Sequence, residues 1–264
     1  MITSTANQQV KLLVQLNKKR KLRDERGVFL VEGPKMFREA PRERLEKVYF
    51  SESFYEKHRE ALTRRIQAEK LDYEILDDHV FKTVSDTQTP QGVLCIVRQQ
   101  ESSLDAFLKA EKPLLLLLEN LQDPGNLGTI LRTAEGAGVT GVILSKGCVD
   151  LYNPKTIRST MGSVYRVPTL YTEDLCQTVE VLKKHGIRSY AAHLKGANFY
   201  DQENYQSGTA FLIGNEGNGL TDETAALATD YIRIPMSGQV ESLNAAVAAS
   251  ILMYEVSRQR RISG

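Results

Sequence analysis

Leu114-Leu115-Leu116-Leu117-Leu118, followed at once by Glu119-Asn120-Leu121-Gln122-Asp123-Pro124-Gly125-Asn126-Leu127-Gly128, decides the fold. Five leucines in a row, closed by polar residues and a Pro-Gly turn, predict a short strand buried on both faces, as in the middle of a parallel sheet. Asn126 stands where a helix N-cap belongs, ahead of a helical stretch over 127–137. Downstream, apolar strands are expected at 142–144, 190–192, 210–213 and 231–235. Helical stretches are expected at 154–161 and 172–185, and a last Ala-rich helix over 243–258 contains no Gly or Pro. This alternation over residues 113–264 predicts an α/β domain with a doubly wound parallel sheet covered on both faces.

Upstream the elements shorten. Strands are expected at 28–31, 48–50, 73–76 and 93–97, with a charged helix at 54–70, so residues 1–100 read as a smaller α/β domain. The 264 residues are 41% hydrophobic and 25% charged, which excludes wholesale disorder. No apolar run exceeds five residues, where a membrane-spanning helix needs roughly 20. Thr3, Ser4, Asn7, Gln8 and Gln9 occupy the place of a signal peptide's apolar core, so a cytoplasmic protein without a membrane partner is expected. Cys95, Cys148 and Cys176 form no C-x-x-C pair, and His58, His79, His185 and His193 have no ligand spacing, so no metal is expected.

The net charge of +1 conceals an asymmetry. Residues 10–26 carry Lys11, Lys18, Lys19, Arg20, Lys21, Arg23 and Arg26 against only Asp24 and Glu25. Such a cluster can bind a polyanion through phosphate contacts, or equally form a solvated helix face.

Ligands of open parallel sheets bind beyond the carboxyl ends of the strands, and three segments there carry chemistry. The first is 119–128, leading into a helix with Arg132. The second is Ile213-Gly214-Asn215-Glu216-Gly217-Asn218-Gly219, whose G-x-x-G-x-G order is neither a dinucleotide fingerprint nor a phosphate loop. The third is Ile234-Pro235-Met236-Ser237-Gly238-Gln239-Val240-Glu241-Ser242-Leu243-Asn244. There Ser242 is placed to cap the last helix, and Asn244 falls in its first turn against a low helix propensity.

In this order and spacing the three segments resemble the motifs of the TrmH/SpoU branch of the SPOUT RNA methyltransferases. The likeness extends over residues 114–258 and includes Asn153-Pro154-Lys155-Thr156-Ile157-Arg158-Ser159-Thr160-Met161-Gly162-Ser163. Residues 28–98, opening with Phe29-Leu30-Val31-Glu32-Gly33, are similar to that branch's L30e-like substrate-binding domain. The resemblance implies a C-terminal SPOUT α/β-knot, a parallel sheet with a deep trefoil knot threaded between residues 210 and 248, in a homodimer; the small apolar face Ala245, Ala248, Ala249 and Leu252 of the last helix, which allows close helix approach, is the expected contact. It implies transfer of a methyl group from S-adenosyl-L-methionine to a ribose 2′-hydroxyl of structured RNA, with 23S rRNA favoured over tRNA. By the same resemblance Ala192, Leu194, Gly214, Asn215, Gly217, Ile234, Met236 and Leu243 line the cofactor site. Arg132 matches the catalytic arginine, with Asn126, Glu216, Ser242 and Asn244 around it. The family mechanism often casts this arginine as a base, whereas a guanidinium, which stays protonated in proteins, is better suited to hold phosphate and developing oxyanion as a cation. Glu216 either orients Arg132 or accepts a hydrogen bond from the ribose. A non-catalytic RNA-binding scaffold and a nucleotide-binding oxidoreductase are the competing readings; the second lacks its fingerprint.

Overall fold

The computed structural model describes residues 1–194 and 196–262, and the chain divides into two compact units: Met1–Gln99 with Asp150–Tyr165, and Gln100–Val149 with Arg166–Gly264. The first unit opens with α1 (Gln8–Lys18), α2 (Arg20–Arg26), β1 (Val28–Glu32) and α3 (Pro34–Glu39). It continues through β2 (Leu45–Ser51), α4 (Glu52–Glu69), β3 (Tyr73–Leu76), α5 (Asp78–Val84) and β4 (Val93–Arg98). Its sheet runs β1-β4-β2-β3, with β4 antiparallel to both neighbours and β2 parallel to β3. Val10, Leu13 and Leu16 of α1 are buried in one core with Val28, Leu30, Tyr49, Val80 and Ile96. Burial of that apolar spacing, i, i+3, i+6, holds a segment otherwise rich in Gln and Lys as helix.

The basic run is only partly a surface. Arg23 is buried at 3% exposure. Its guanidinium donates to the Leu16 and Asn17 carbonyls and pairs with Asp150, so it is a structural residue, not one of the phosphate-binding cations the sequence suggested. Arg20, Lys21 and Arg26 pair with Asp24, Glu25 and Glu46. Lys11, Lys18 and Lys19 stay exposed.

The second unit begins with α6 (Leu104–Leu108), β5 (Leu114–Leu118), α7 (Pro124–Ala137) and β6 (Gly141–Ser145). The chain then gives α8 (Pro154–Thr160) to the first unit, where Tyr152 stacks on Phe29 and Arg158 pairs with Asp86. It resumes with β7 (Thr169–Thr172), α9 (Leu175–Lys184), β8 (Arg188–Ala192) and β9 (Asn198–Phe199). The last elements are β10 (Thr209–Ile213), α10 (Asp222–Leu227), β11 (Asp230–Arg233) and α11 (Ala245–Ile262).

The seven-stranded sheet runs β7-β6-β5-β10-β8-β11-β9 and every pairing in it is parallel. The architecture is the α/β parallel sheet expected from the leucine run, and all five leucines of β5 are buried. The stretch 172–185, read as one helix, is instead the end of β7 followed by α9. α11 packs against α7, and its Ala245, Ala249 and Leu252 are buried within the chain. Of the small apolar face Ala245, Ala248, Ala249 and Leu252, expected as a dimer contact, all but half-buried Ala248 is therefore occupied by the chain's own core. Among the described residues no helix is long and apolar enough to cross a membrane.

Candidate active site

Strands β5 and β10 are parallel neighbours, so the segments that leave their carboxyl ends meet: 119–128 beside 214–220. Helix α7 starts at Pro124 with Asp123 as its N-cap, the Asp123 carboxylate accepting the Asn126 N–H at 2.7 Å. Asn126 is thus inside the first turn, not the cap, and its side chain is released for other contacts. Its Nδ2 donates to Glu216 at 3.0 Å and its Oδ1 accepts from Asn244 Nδ2 at 2.9 Å. Asn244 also accepts the N–H groups of Ala246 and Val247, which makes it the N-cap of α11. The cap expected at Ser242 therefore falls at Asn244, whose poor propensity for helix interiors is an advantage at this position.

Glu216 also accepts from the backbone, from Gln122 N at 3.0 and 3.3 Å and from Asp123 N at 2.9 Å. Desolvation pushes its pKa up, but hydrogen bonds from Asn126, Gln122 and Asp123 outweigh it and hold the carboxyl below its ordinary value. The carboxylate lies at the N-terminal end of α7, where unsatisfied N–H groups and the helix dipole favour an anion.

Three of the five expected catalytic residues, Asn126, Glu216 and Asn244, therefore form one hydrogen-bonded chain. Arg132 is exposed on α7 and, among the described residues, its side chain makes no hydrogen bond or ion pair. Ser242 is exposed in the loop before α11 and joins none of these contacts. The residues expected to line the cofactor site stand at or beyond the carboxyl ends of three adjacent strands, β10, β8 and β11. Ala192 ends β8 and pairs in register with Ile232, while Leu194 beyond it is 63% exposed. Gly214, Asn215 and Gly217 leave β10; Ile234 and Met236 leave β11 and are half-buried, as is Leu243 ahead of α11.

Gly214 has a reason of its own to be glycine. A Cβ there would stand 2.0 Å from the Gly219 carbonyl carbon, because Asn215 and Gly219 exchange both backbone hydrogen bonds at 2.9 Å. At Gly217 a Cβ would meet only Asn215 Oδ1 at 3.6 Å, an ordinary contact. From Met236 to Leu243 no backbone–backbone hydrogen bond forms among the described residues. Free N–H and C=O groups beside half-buried Ile234, Met236 and Leu243 suit a ligand with a flat base and a polar tail. Among the described residues no group of three or more His, Cys, Asp or Glu is placed to hold a metal.

Gln122 and Asp123 were not singled out as contacts of Glu216, since backbone donors leave no signature in side-chain identity. Glu119, a charge terminating an apolar strand, did carry a signal, and the structure buries it at 6% exposure.

Residues 113–254 match the model of the SpoU rRNA Methylase family, and residues 7–95 match that of the MRM3-like substrate binding domain. The chain is 34% identical to the 23S rRNA (guanosine(2553)-2′-O)-methyltransferase RlmP of Bacillus subtilis, covering 97% of this chain and 98% of the relative. Among solved structures it is similar to the AdoMet-bound rRNA methyltransferase of Sinorhizobium meliloti, with a TM-score of 0.83, 31% identity and 97% of each chain covered. It is also similar to the SpoU methyltransferase AviRb of Streptomyces viridochromogenes in complex with AdoMet, with a TM-score of 0.85, 26% identity, and 98% and 99% of the two chains covered.

Proposed function

The chain belongs to the SpoU rRNA methylase family, and from that premise we infer that it transfers a methyl group from S-adenosylmethionine to a ribose 2′-hydroxyl of 23S rRNA. The observation that carries this reading to particular atoms is the hydrogen-bonded chain Glu216–Asn126–Asn244 at the strand ends of the parallel sheet.

A ribose hydroxyl is a weak nucleophile, so the protein has to align its oxygen and stabilise the charge that develops on it. S-adenosylmethionine, when bound, supplies a sulfonium methyl that is already electrophilic. Backbone groups at Gly214, Asn215, Gly217 and residues 236–243 hold it, with Ala192, Leu194, Ile234, Met236 and Leu243 as apolar walls. Arg132, exposed and unpartnered among the described residues, meets the RNA phosphate and the developing oxyanion as a fixed cation. Glu216 and Asn244, joined through Asn126, fix the loop after β10 and the start of α11 relative to α7. Ser242 lies on the exposed loop, within reach of the incoming RNA.

The first unit, with exposed Lys11, Lys18 and Lys19, holds the RNA. The C-terminal knot over 210–248 is part of the same reading. Strands β10 and β11 are consecutive in the chain yet stand on either side of β8, so the segment joining them has to cross that strand. The enzyme is a cytoplasmic homodimer in which Val247 and Tyr254, 47% and 53% exposed on α11, form the contact in place of the buried alanine face. Ribose-methylation mapping of total RNA from a deletion strain tests the reading: one 2′-O-methyl group in 23S rRNA should disappear, and loss of a tRNA mark instead would redirect it.

A further inference from the structure

We propose that Glu119 is the positioning residue that closes the glycine loop 214–220 into its methyl-donor-binding form; this rests on the reading of that loop given above. Both ends of the loop are tied to this one residue. At the entry, the Glu119 backbone N–H donates to the Ile213 carbonyl at 2.9 Å. At the exit, its carboxylate accepts the Thr221 N–H at 2.7 Å, the Thr221 hydroxyl at 2.9 Å and the Thr224 hydroxyl at 2.5 Å. Thr221 is the N-cap of α10, so the carboxylate fixes where that helix begins and with it where the loop must end.

The side chain is 6% exposed and, among the described residues, has no cationic partner. A buried carboxylate without a counter-charge is costly unless its hydrogen bonds are complete, and here all three come from the far end of one loop. The loop between the two ties is internally stiff. Gly214 leaves no space for a side chain against the Gly219–Leu220 backbone, and Asn215 Oδ1 accepts the N–H groups of Gly217 and Asn218. A stiff loop clamped at both ends is a preformed cradle, which spares a ligand the cost of ordering it. Glu119 touches neither the reacting atoms nor, in this arrangement, the ligand. It acts through Thr221 and Thr224.

The role is one of hydrogen-bond geometry, which sets the order expected of its variants. Glu119→Gln keeps the reach: the amide oxygen accepts the Thr221 N–H and the amide nitrogen donates to hydroxyls that rotate to accept. Glu119→Asp keeps the charge but is one methylene short, and Glu119→Ala removes all three side-chain hydrogen bonds.

Titration calorimetry with S-adenosylhomocysteine on the full chain should show affinity about tenfold or more weaker in Glu119→Ala and Glu119→Asp, and within about threefold of normal in Glu119→Gln. RNA affinity should stay unchanged in all three. Thr224→Val, which removes one hydroxyl donor at nearly constant shape, should weaken the same ligand by a few-fold and supplies the test if Glu119→Ala does not fold. Normal affinity in both Glu119→Ala and Thr224→Val overturns the proposal, as does a Gln variant as poor as Ala. Wild-type protein that binds no S-adenosylhomocysteine overturns the reading of the site itself, and the proposal with it.

Discussion

The Asn126 side-chain oxygen accepts a hydrogen bond of 2.9 Å from the Asn244 amide across 118 residues of sequence, tying the first turn of α7 to the N-cap of α11. The same Asn126 donates to Glu216, so one side chain joins all three segments singled out by their place after parallel strands. Asn126→Asp exchanges that donor for a second carboxylate facing Glu216. Two like charges at this separation cannot both remain comfortably ionised, and sharing a proton restores the missing donor. The variant should therefore be weakly active near neutral pH and recover as the solution is acidified, with wild-type protein as the reference. A methyl-transfer profile that parallels wild type across pH would contradict the pairing.

Glu216 predicts a pH window of its own. Its pKa is lower in the folded protein, so the stability it contributes is fully present above the unfolded carboxylate value and is lost as pH falls through the lower folded value. The hydrogen bonds with Gln122, Asp123 and Asn126 should persist from neutral pH to about 4.3, the ordinary glutamate value, and give way only below it. A carboxyl-carbon NMR titration of Glu216 reads this directly, and Glu216→Gln should remove the transition.

Much of this was legible in the sequence because buried parallel strands have to be apolar throughout. β5, β6 and β10 announce themselves in that way, and the polar residues that follow them stand out by contrast. β7 did not, since all four of its residues are only half-buried. β9, with two residues, has no period to detect. Helix starts were misplaced at Asn126 and Ser242 because several capping residues stand in a row at each, and only the hydrogen bonds select Asp123 and Asn244. Arg23 looked like part of a basic patch because its partner, Asp150, lies 127 residues away.

Gly214 and Gly217 should separate sharply when each is changed to alanine. At 214 the added methyl meets backbone at 2.0 Å, which no side-chain rotation relieves, so Gly214→Ala should cost about 1–3 kcal/mol and remove S-adenosylmethionine binding. Gly217→Ala meets nothing closer than 3.6 Å and should melt like wild type. A weaker ligand affinity in Gly217→Ala without a change in Tm would then place the ligand itself against residue 217.

Arg23 and Lys18 share a basic segment but should fail differently. Arg23→Ala strands Asp150 and empties a buried site, a loss of about 3–5 kcal/mol by the usual cost of breaking such a pair. Lys18→Ala with Lys19→Ala removes two exposed charges and should leave Tm alone. RNA affinity should fall, and the slope of log K against log salt should flatten by about 0.7–0.9 for each RNA phosphate no longer neutralised. An unchanged slope would remove α1 from the RNA-binding surface.

Arg132 offers the cleanest separation of role from stability. Exposed on α7 and without a partner among the described residues, it holds nothing together, so Arg132→Ala should leave Tm and S-adenosylmethionine affinity nearly unchanged. Loss of one stabiliser of transition-state charge typically lowers a rate by roughly 10²–10³, and methyl transfer should fall by that amount or more. Arg132→Lys then distinguishes the two mechanisms. Lysine retains the charge but not the planar fork, so a clamp on two oxygens should fail almost as badly as alanine, whereas a single point of attraction should keep part of the rate. A base acting unprotonated would instead give the wild-type enzyme a steep rise of rate with pH that the lysine variant shifts toward lower pH. Near-normal turnover in Arg132→Ala would exclude the residue from the site altogether.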